Sequence, residues 1–238
     1  MNALHLRRIQ ITVDGPKDIH DSRRYITGGH PTFERIIQNI KDSIDIIPKI
    51  SLRINVDTIN ASRIFEVKEL FSEQIYKDKV YPYIAIVDAV NGQYDEQKCL
   101  TMPEFIRLDK AFYSKAIYCY PTPHLNACGA DTTQSMVVGP DGTLYKCWND
   151  IGISEYAVDN IFNDKYRYSK RYYDFMLYDA TEDENCSNCR VLPLCMGACP
   201  NRRINSSPLR CCQYKYNLEQ YIRNVANEIL DTKTDLKP

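Results

Sequence analysis

Four cysteines, Cys186, Cys189, Cys195 and Cys199, stand at C-x2-C-x5-C-x3-C spacing, and an adjacent pair, Cys211 and Cys212, comes after them. Thiols this dense gather around metal, because a C-x2-C turn points its backbone amides inward and both sulfurs at one centre. Ten cysteines in 238 residues would also suit a secreted disulfide protein. Against that, Met1 to Thr12 holds no continuous apolar core of signal-peptide length, since Arg7 and Arg8 interrupt it. A reducing cytoplasm is therefore the expected compartment, where clustered thiols are metal ligands or redox groups rather than disulfides.

Bulk composition excludes more than it selects. Thirty basic residues face 31 acidic ones, a formal net charge of -1, so no overall field draws the chain to nucleic acid or to an anionic membrane. No segment approaches the roughly 20 apolar residues a membrane helix needs. Neither nucleic acid nor membrane is expected as a partner.

The first part of the chain alternates strand and helix patterns. Residues 7–13 place Ile9, Ile11 and Val13 at period two, and Asp14-Gly15-Pro16 ends the run with turn chemistry. From about Pro31 a helical stripe begins, Phe33, Ile36, Ile37, Ile40 and Ile44, with Pro48 marking its end. Leu52, Ile54 and Val56 alternate again in 50–56. Asn60 is placed to cap a second helix carrying Ile64, Val67, Leu70 and Phe71, and Tyr83 to Val87 forms a third apolar run. The order β-α-β-α-β implies parallel strands, about half of a barrel or a small open sheet.

After Asn91-Gly92 the chain turns rich in Tyr, Cys and Pro and the alternation stops, so a domain boundary is expected near residue 95. Met102 to Tyr118 reads as a helix with Pro103 in its first turn, and Pro121 and Pro123 rule out its continuation beyond that point. Residues 135–148 form a hairpin candidate around Gly139-Pro140-Asp141-Gly142, and a last helix over roughly 212–230 carries Leu218, Ile222, Val225 and Ile229.

Cys128 precedes that hairpin and Cys147 leaves it, so the sulfur count rises to seven or eight. One tetrahedral site uses four, which indicates two sites. Two zincs or two four-iron clusters both satisfy the count. Only Cys186 and Cys189 form a C-x2-C knuckle, whereas zinc ribbons supply two. A run whose last cysteine serves another site is the behaviour of two-cluster ferredoxins, so spacing favours iron–sulfur.

The set Cys128, Gly142-x4-Cys147, Cys186-x2-Cys189-x5-Cys195-x3-Cys199 and Cys211 resembles the SPASM domain of radical SAM peptide-maturing enzymes over about the last 120 residues. That resemblance implies Cys186, Cys189, Cys195 and Cys211 around one auxiliary four-iron cluster, and Cys128, Cys147 and Cys199 around another. For the second cluster the fourth ligand is either Cys119 or a substrate thiolate on an open iron. A plain reading of Cys119 is a buried apolar thiol, and Cys99 is read as structural. Cys211 and Cys212 compete for one position, and Cys211-Cys212-Gln213-Tyr214-Lys215 fits the family's C-x2-Tyr-Lys arrangement with Cys211 as ligand.

Upstream, Gln10 to Pro16 with His20-Asp21 and Arg24 resembles the fourth strand and loop of the radical SAM barrel, and Arg53-Ile54-Asn55 resembles the fifth. Barrel folds gather ligands at the C-terminal ends of strands, so the resemblance makes Thr12, Arg24, Arg53 and Asn55 candidate contacts to S-adenosylmethionine. The plain alternatives are a turn, a surface His-Asp pair and a solvent-facing strand charge.

The family's C-x3-C-x2-C motif, which holds the cluster that binds S-adenosylmethionine, does not occur; Arg202 stands where Cys195-x3-Cys199 would need a third cysteine, and no cysteine precedes Cys99. The expectation is thus an α/β half of a partial (β/α) barrel, residues 1–95, followed by an α+β, cysteine-rich SPASM domain, residues 96–238. It is read as the C-terminal portion of a longer maturase, inactive alone, with S-adenosylmethionine bound only in the intact enzyme. Expected partners are a precursor peptide or protein substrate, the missing barrel half, and an electron donor or acceptor protein. Trp148 stands after Cys147 where sulfatase-maturing relatives carry an Asp base, which leans toward crosslinking maturases. A non-catalytic iron–sulfur or zinc module is the rival.

Overall fold

The computed structural model describes residues 6–89, 92, 94–113, 128–165 and 167–234. In chain order the elements are β1 (Ile9–Thr12), α1 (Lys17–Arg23), β2 (Tyr25–Ile26), β3 (His30–Pro31), α2 (Phe33–Ser43), β4 (Ile50–Val56), α3 (Ile64–Glu69), β5 (Val80–Ile86) and α4 (Met102–Phe112). They continue as β6 (Val137–Val138), β7 (Thr143–Tyr145), β8 (Asp159–Asn160), α5 (Lys170–Met176), α6 (Glu184–Ser187), α7 (Leu192–Cys195), α8 (Pro200–Ile204) and α9 (Tyr214–Thr234). The chain divides into two units: Met1–Asp88 with Asp95–Leu100 and Arg107–Ser114, and Ala89–Tyr94 with Thr101–Ile106 and Lys115–Pro238. No helix among the described residues is long and apolar enough to cross a membrane.

A three-stranded parallel sheet in the order β1-β4-β5 organises the first unit. Its register runs from Ile9↔Ile50 to Thr12↔Arg53 on one side of β4 and from Ile50↔Val80 to Val56↔Ile86 on the other. Because strand side chains alternate at period two, β4 puts Ile50, Leu52, Ile54 and Val56 on one face, all fully buried. The β-branched Ile and Val suit that pleated, covered surface. Phe33, Ile37, Ile40 and Ile44 of the α2 stripe are buried, as are Ile64 and Val67 of α3. Leu70, placed by periodicity on the same stripe, is 36% exposed, because α3 has ended one residue earlier.

Two local readings need correction. Asn60 does not cap the helix after β4: α3 starts at Ile64 with Arg63 as N-cap. Instead Asn60 is fully buried, accepting from Asp57 N at 3.0 Å and donating to the carbonyls of Asp14 at 2.7 Å and Asn55 at 2.8 Å. Likewise His20 is no surface residue; it sits in α1, a helix the apolar pattern did not announce, with no exposed area.

In the second unit β6, β7 and β8 form a small antiparallel sheet. Gly142 closes the turn between β6 and β7 at φ +83, a conformation an L side chain adopts only with strain, and a Cβ there would lie 2.5 Å from the Phe162 ring. Leu144, Val158 and Tyr172 form its buried cluster, with Met136, Tyr168 and Met176 against it. The third strand, β8, had no counterpart in the sequence pattern. Helix α9 is broken at Asn217 (φ -145, ψ 16), four residues into the span. The sequence-predicted continuation of α4 to Tyr118, with Pro121, Pro123 and Cys119, lies outside the described residues.

Candidate metal centre

At the C-terminal ends of β1 and β4 the chain leaves the sheet through two buried carboxylates, Asp14 and Asp57. Consecutive arginines of α1 and its C-cap take one each: Arg23 Nη2 lies 2.8 Å from Asp57, and Arg24 Nε 2.6 Å from Asp14 Oδ2. Asp14 Oδ1 is buried without a hydrogen-bond partner. His20 Nδ1 accepts from Asp14 N at 3.2 Å, so its proton sits on Nε2, 3.1 Å from Thr32 Oγ1, which itself donates to the Arg24 carbonyl at 2.6 Å. Burial holds the His20 pKa below its ordinary value and keeps the ring neutral.

Of the residues singled out for the cofactor, Thr12 is in register with Arg53, and Arg53 Nε donates to Asn55 Oδ1 at 2.8 Å. All three are half-buried. Tyr83 of β5 hydrogen-bonds Gln10 of β1 at 2.6 Å over the intervening strand, so this face of the sheet is polar where the opposite one is apolar. Arg24 differs from the other three: its guanidinium is committed to Asp14.

In the second unit the sulfurs gather around Cys147 and around a recess lined by Cys186, Cys189, Cys195, Cys211 and Cys212, and a larger cavity touches members of both sets. Cys147 lies within electrostatic reach of Cys199 and Cys128, and burial pushes its thiol up to about 11. Buried charged side chains adjacent in sequence to these cysteines make the frame. Lys146 Nζ donates to the carbonyls of Thr132 at 2.5 Å and Ser135 at 2.8 Å, tying the segment after Cys128 to β7. Asp150 takes Arg171 at 3.1 Å and Asn201 Nδ2 at 2.6 Å, joining the turn after Cys147 to the helix after Cys199. Arg203 pairs with Asp131 at 2.6 Å, donates to the Ala198 carbonyl at 3.2 Å and stacks over Tyr178. Sequence reasoning missed this frame, although each member stands within four residues of a cysteine or pairs with one that does. Asp150, 1% exposed, is a strut and not a free base, while Trp148 is 75% exposed.

The other group is built on short helices. Asp183 caps α6 by accepting from Asn185 N, and it also takes Arg210 Nη2 at 2.6 Å and the Tyr178 hydroxyl at 3.1 Å. That arrangement sets the residue before Cys211 beside Cys186, whose Sγ is 3.9 Å from both Arg210 Nη2 and Tyr178 Oη. Cys212 faces Cys195, and burial, then that neighbour, pushes the Cys212 thiol up to about 11. Lys215 Nζ reaches Cys211 Sγ at 3.4 Å, and this contact raises the lysine pKa.

Between Cys195 and Cys199 three successive residues are left-handed: Met196 at φ 46, Gly197 at φ 86 and Ala198 at φ 58. Non-glycine residues take this conformation at a cost of roughly 1–2 kcal/mol each. The bend is held by Ala198 N donating to Cys195 O at 2.8 Å and by Gly197 packing so tightly that a Cβ would lie 3.1 Å from Ala180 Cβ.

A cavity of about 820 Å³ is lined by Cys128, Cys195, Cys199, Cys211 and Cys212, and a recess of about 20 Å³ by Cys186, Cys189, Cys195, Cys211, Cys212 and Lys215 among others. All nine described cysteines are free thiols, and of the eight in these two groups only Cys128 is exposed. An all-sulfur, half-buried donor set suits zinc or iron–sulfur. Yet no three His, Cys, Asp or Glu among the described residues converge enough for a single ion. A one-ion zinc site needs every sulfur about 2.3 Å from one point. A four-iron cluster accepts a wider spread, each thiolate binding its own iron.

No family model matches the chain. A cysteine-type anaerobic sulfatase-maturating enzyme of Clostridium perfringens (strain 13 / Type A) is 20% identical over 264 aligned residues, covering 93% of this chain and 68% of that enzyme. One from Clostridium novyi (strain NT) is 25% identical over 232, covering 84% of this chain and 58% of the relative. Among solved structures, native anSMEcpe with bound AdoMet matches 98% of this chain and 70% of its own at TM-score 0.54 and 17% identity. The structure with bound AdoMet and Cp18Cys peptide matches 97% and 70% at TM-score 0.53 and 18% identity. Sequence and fold agree in pointing to one set of proteins: the chain is weakly but consistently similar in sequence to anaerobic sulfatase-maturating enzymes and shares the fold of anSMEcpe.

Proposed function

We propose that this chain is the auxiliary-cluster-bearing portion of a radical SAM enzyme that modifies a ribosomally made peptide or protein. Residues 1–95 act as half of the partial barrel and 96–238 as a SPASM domain. The observation that carries this reading is the gathering of cysteines far apart in sequence, Cys128 and Cys199 beside Cys147, and Cys186, Cys189, Cys195, Cys211 and Cys212 around one recess, with a cavity that touches both sets. Each group holds one four-iron cluster. Cys211, already contacted by a cation, is the ligand in preference to Cys212.

When bound, such clusters supply an electron path beside the substrate. The chain's own residues shape it: the frame of Lys146, Asp150 and Arg203 fixes the first group, and Asp183 with Arg210 fixes the second. Thr12, Arg53 and Asn55 offer polar groups on one sheet face for S-adenosylmethionine, and Arg24 positions Asp14. A peptide substrate is supported by the peptide-bound structure of the related enzyme. A cytoplasmic setting, a partner supplying the rest of the barrel, and an electron donor or acceptor protein complete the reading. The 238 residues contain no C-x3-C-x2-C, which is the one observation favouring a non-catalytic module instead.

Anaerobic reconstitution followed by iron, sulfide and zinc assays tests the proposal. Two four-iron clusters predict about eight irons and about eight sulfides per chain. About two zincs with no acid-labile sulfide would overturn it. This chain by itself is expected not to cleave S-adenosylmethionine under strong reductant.

A further inference from the structure

The cations beside the two sulfur groups are placed unequally. Near Cys147, Lys146 donates to two backbone carbonyls, Arg171 pairs with Asp150, and Arg203 pairs with Asp131. In the other group Arg210 approaches Cys186 Sγ at 3.9 Å, yet its short contact, 2.6 Å, is to Asp183. Lys215 reaches a sulfur directly, 3.4 Å from Cys211 Sγ, and lines the recess that Cys186, Cys189 and Cys195 share.

A cluster gains one negative charge when it takes up one electron. A cation hydrogen-bonded to a ligating sulfur stabilises that more negative state, and charge and hydrogen bonds to sulfur are what set cluster potentials. Resting on the iron–sulfur reading above, we propose that Lys215 tunes the cluster held by Cys186, Cys189, Cys195 and Cys211, raising its reduction potential. It acts through the Cys211 sulfur and not on substrate, so it is a positioning and charge-setting residue. No proton need move, because the ammonium keeps its charge in both redox states.

The full chain, reconstituted anaerobically as wild type, K215M and K215R, is assayed for iron and sulfide and then titrated with dithionite under EPR. All three are expected to bind equal iron. In K215M one of the two midpoints shifts to a more negative potential while the other stays, and K215R restores most of the shift. Raised salt is expected to shrink the wild-type difference, since Lys215 is exposed and its charge is screened. Two unchanged midpoints in K215M would refute the tuning role. Iron loss from K215M with retention in K215R would also overturn it, assigning Lys215 to assembly. Wild-type protein that binds no iron removes the parent reading itself.

Discussion

The two units of this chain are held by different forces. In the first, β4 runs seven residues with four fully buried aliphatic side chains, and α2 and α3 add Ile40, Ile64 and Val67 with no exposed area. The second has strands of two or three residues and helices α6, α7 and α8 of four or five, far below the roughly 12 residues at which an isolated helix becomes even marginal. Beside its buried apolar residues the second unit buries Lys146, Asp150, Arg171, Asn201 and Arg203 close in sequence to its cysteines, whereas the buried polar groups of the first unit, Asp14, His20, Asp57 and Asn60, stand at the end of a sheet whose other face is aliphatic. Apolar packing needs no ligand. A polar frame around clustered thiols leaves folding coupled to whatever those thiols bind.

The largest test of that contrast is metal removal. After chelation under reducing conditions, hydrogen exchange is expected to rise to near-unprotected rates across 184–204, while β1, β4 and β5 keep their protection. Equal loss in both units would break the comparison. Next in size, Asp150→Ala leaves Arg171 buried and unpaired, and breaking a buried pair costs about 3–5 kcal/mol; urea unfolding of the second unit and reduced iron uptake report it. Ile54→Ala, by contrast, is expected to cost about 2–5 kcal/mol from the first unit through the cavity it leaves, with iron binding unchanged.

Smaller effects sharpen the picture. Asn60→Ala strands Asp57 N and two carbonyls, each buried group costing about 1–3 kcal/mol when unsatisfied, and shows as a lower urea midpoint for the first unit. His20 gives the least. Its folded pKa lies below the ordinary 6.5, so the unfolded state takes up a proton first as pH falls. Stability from neutral His20 is fully present above 6.5 and is lost on acidification toward the folded value. Comparing urea midpoints at about pH 7.5 and 5.5, His20→Asn is expected to lower both and flatten the difference.

Period-two alternation made β1 and β4 legible, because one covered face forces it onto the sequence, while β5 was marked by an apolar run, Tyr83 to Val87, that missed its first three residues. The stripe of α2 was legible for the same reason. Neither α1 nor the buried role of Asn60 was, since both depend on partners distant in sequence: Asn60 meets Asp14, and His20 meets Thr32. Asn60 before an apolar run reads as a cap, and only the contact with β1 shows it to be a strut. Cysteine spacing singled out the thiols that gather in the second unit, whereas their frame stayed hidden because Lys146, Asp150 and Arg203 resemble ordinary surface charges until their burial is known. Cys119 lies outside the described residues.

The left-handed bend from Met196 to Ala198 bears on speed as well as shape. On the proposed assignment it is the shortest covalent bridge between the two clusters, and four residue steps cap the Cα separation of Cys195 and Cys199 at about 14 Å. Electron hopping decays steeply with distance. A bend pinned by Ala180, Tyr178 and Arg203 is a fixed spacer between Cys195 and Cys199, and on that assignment it would hold their two clusters apart by a set amount before any substrate arrives.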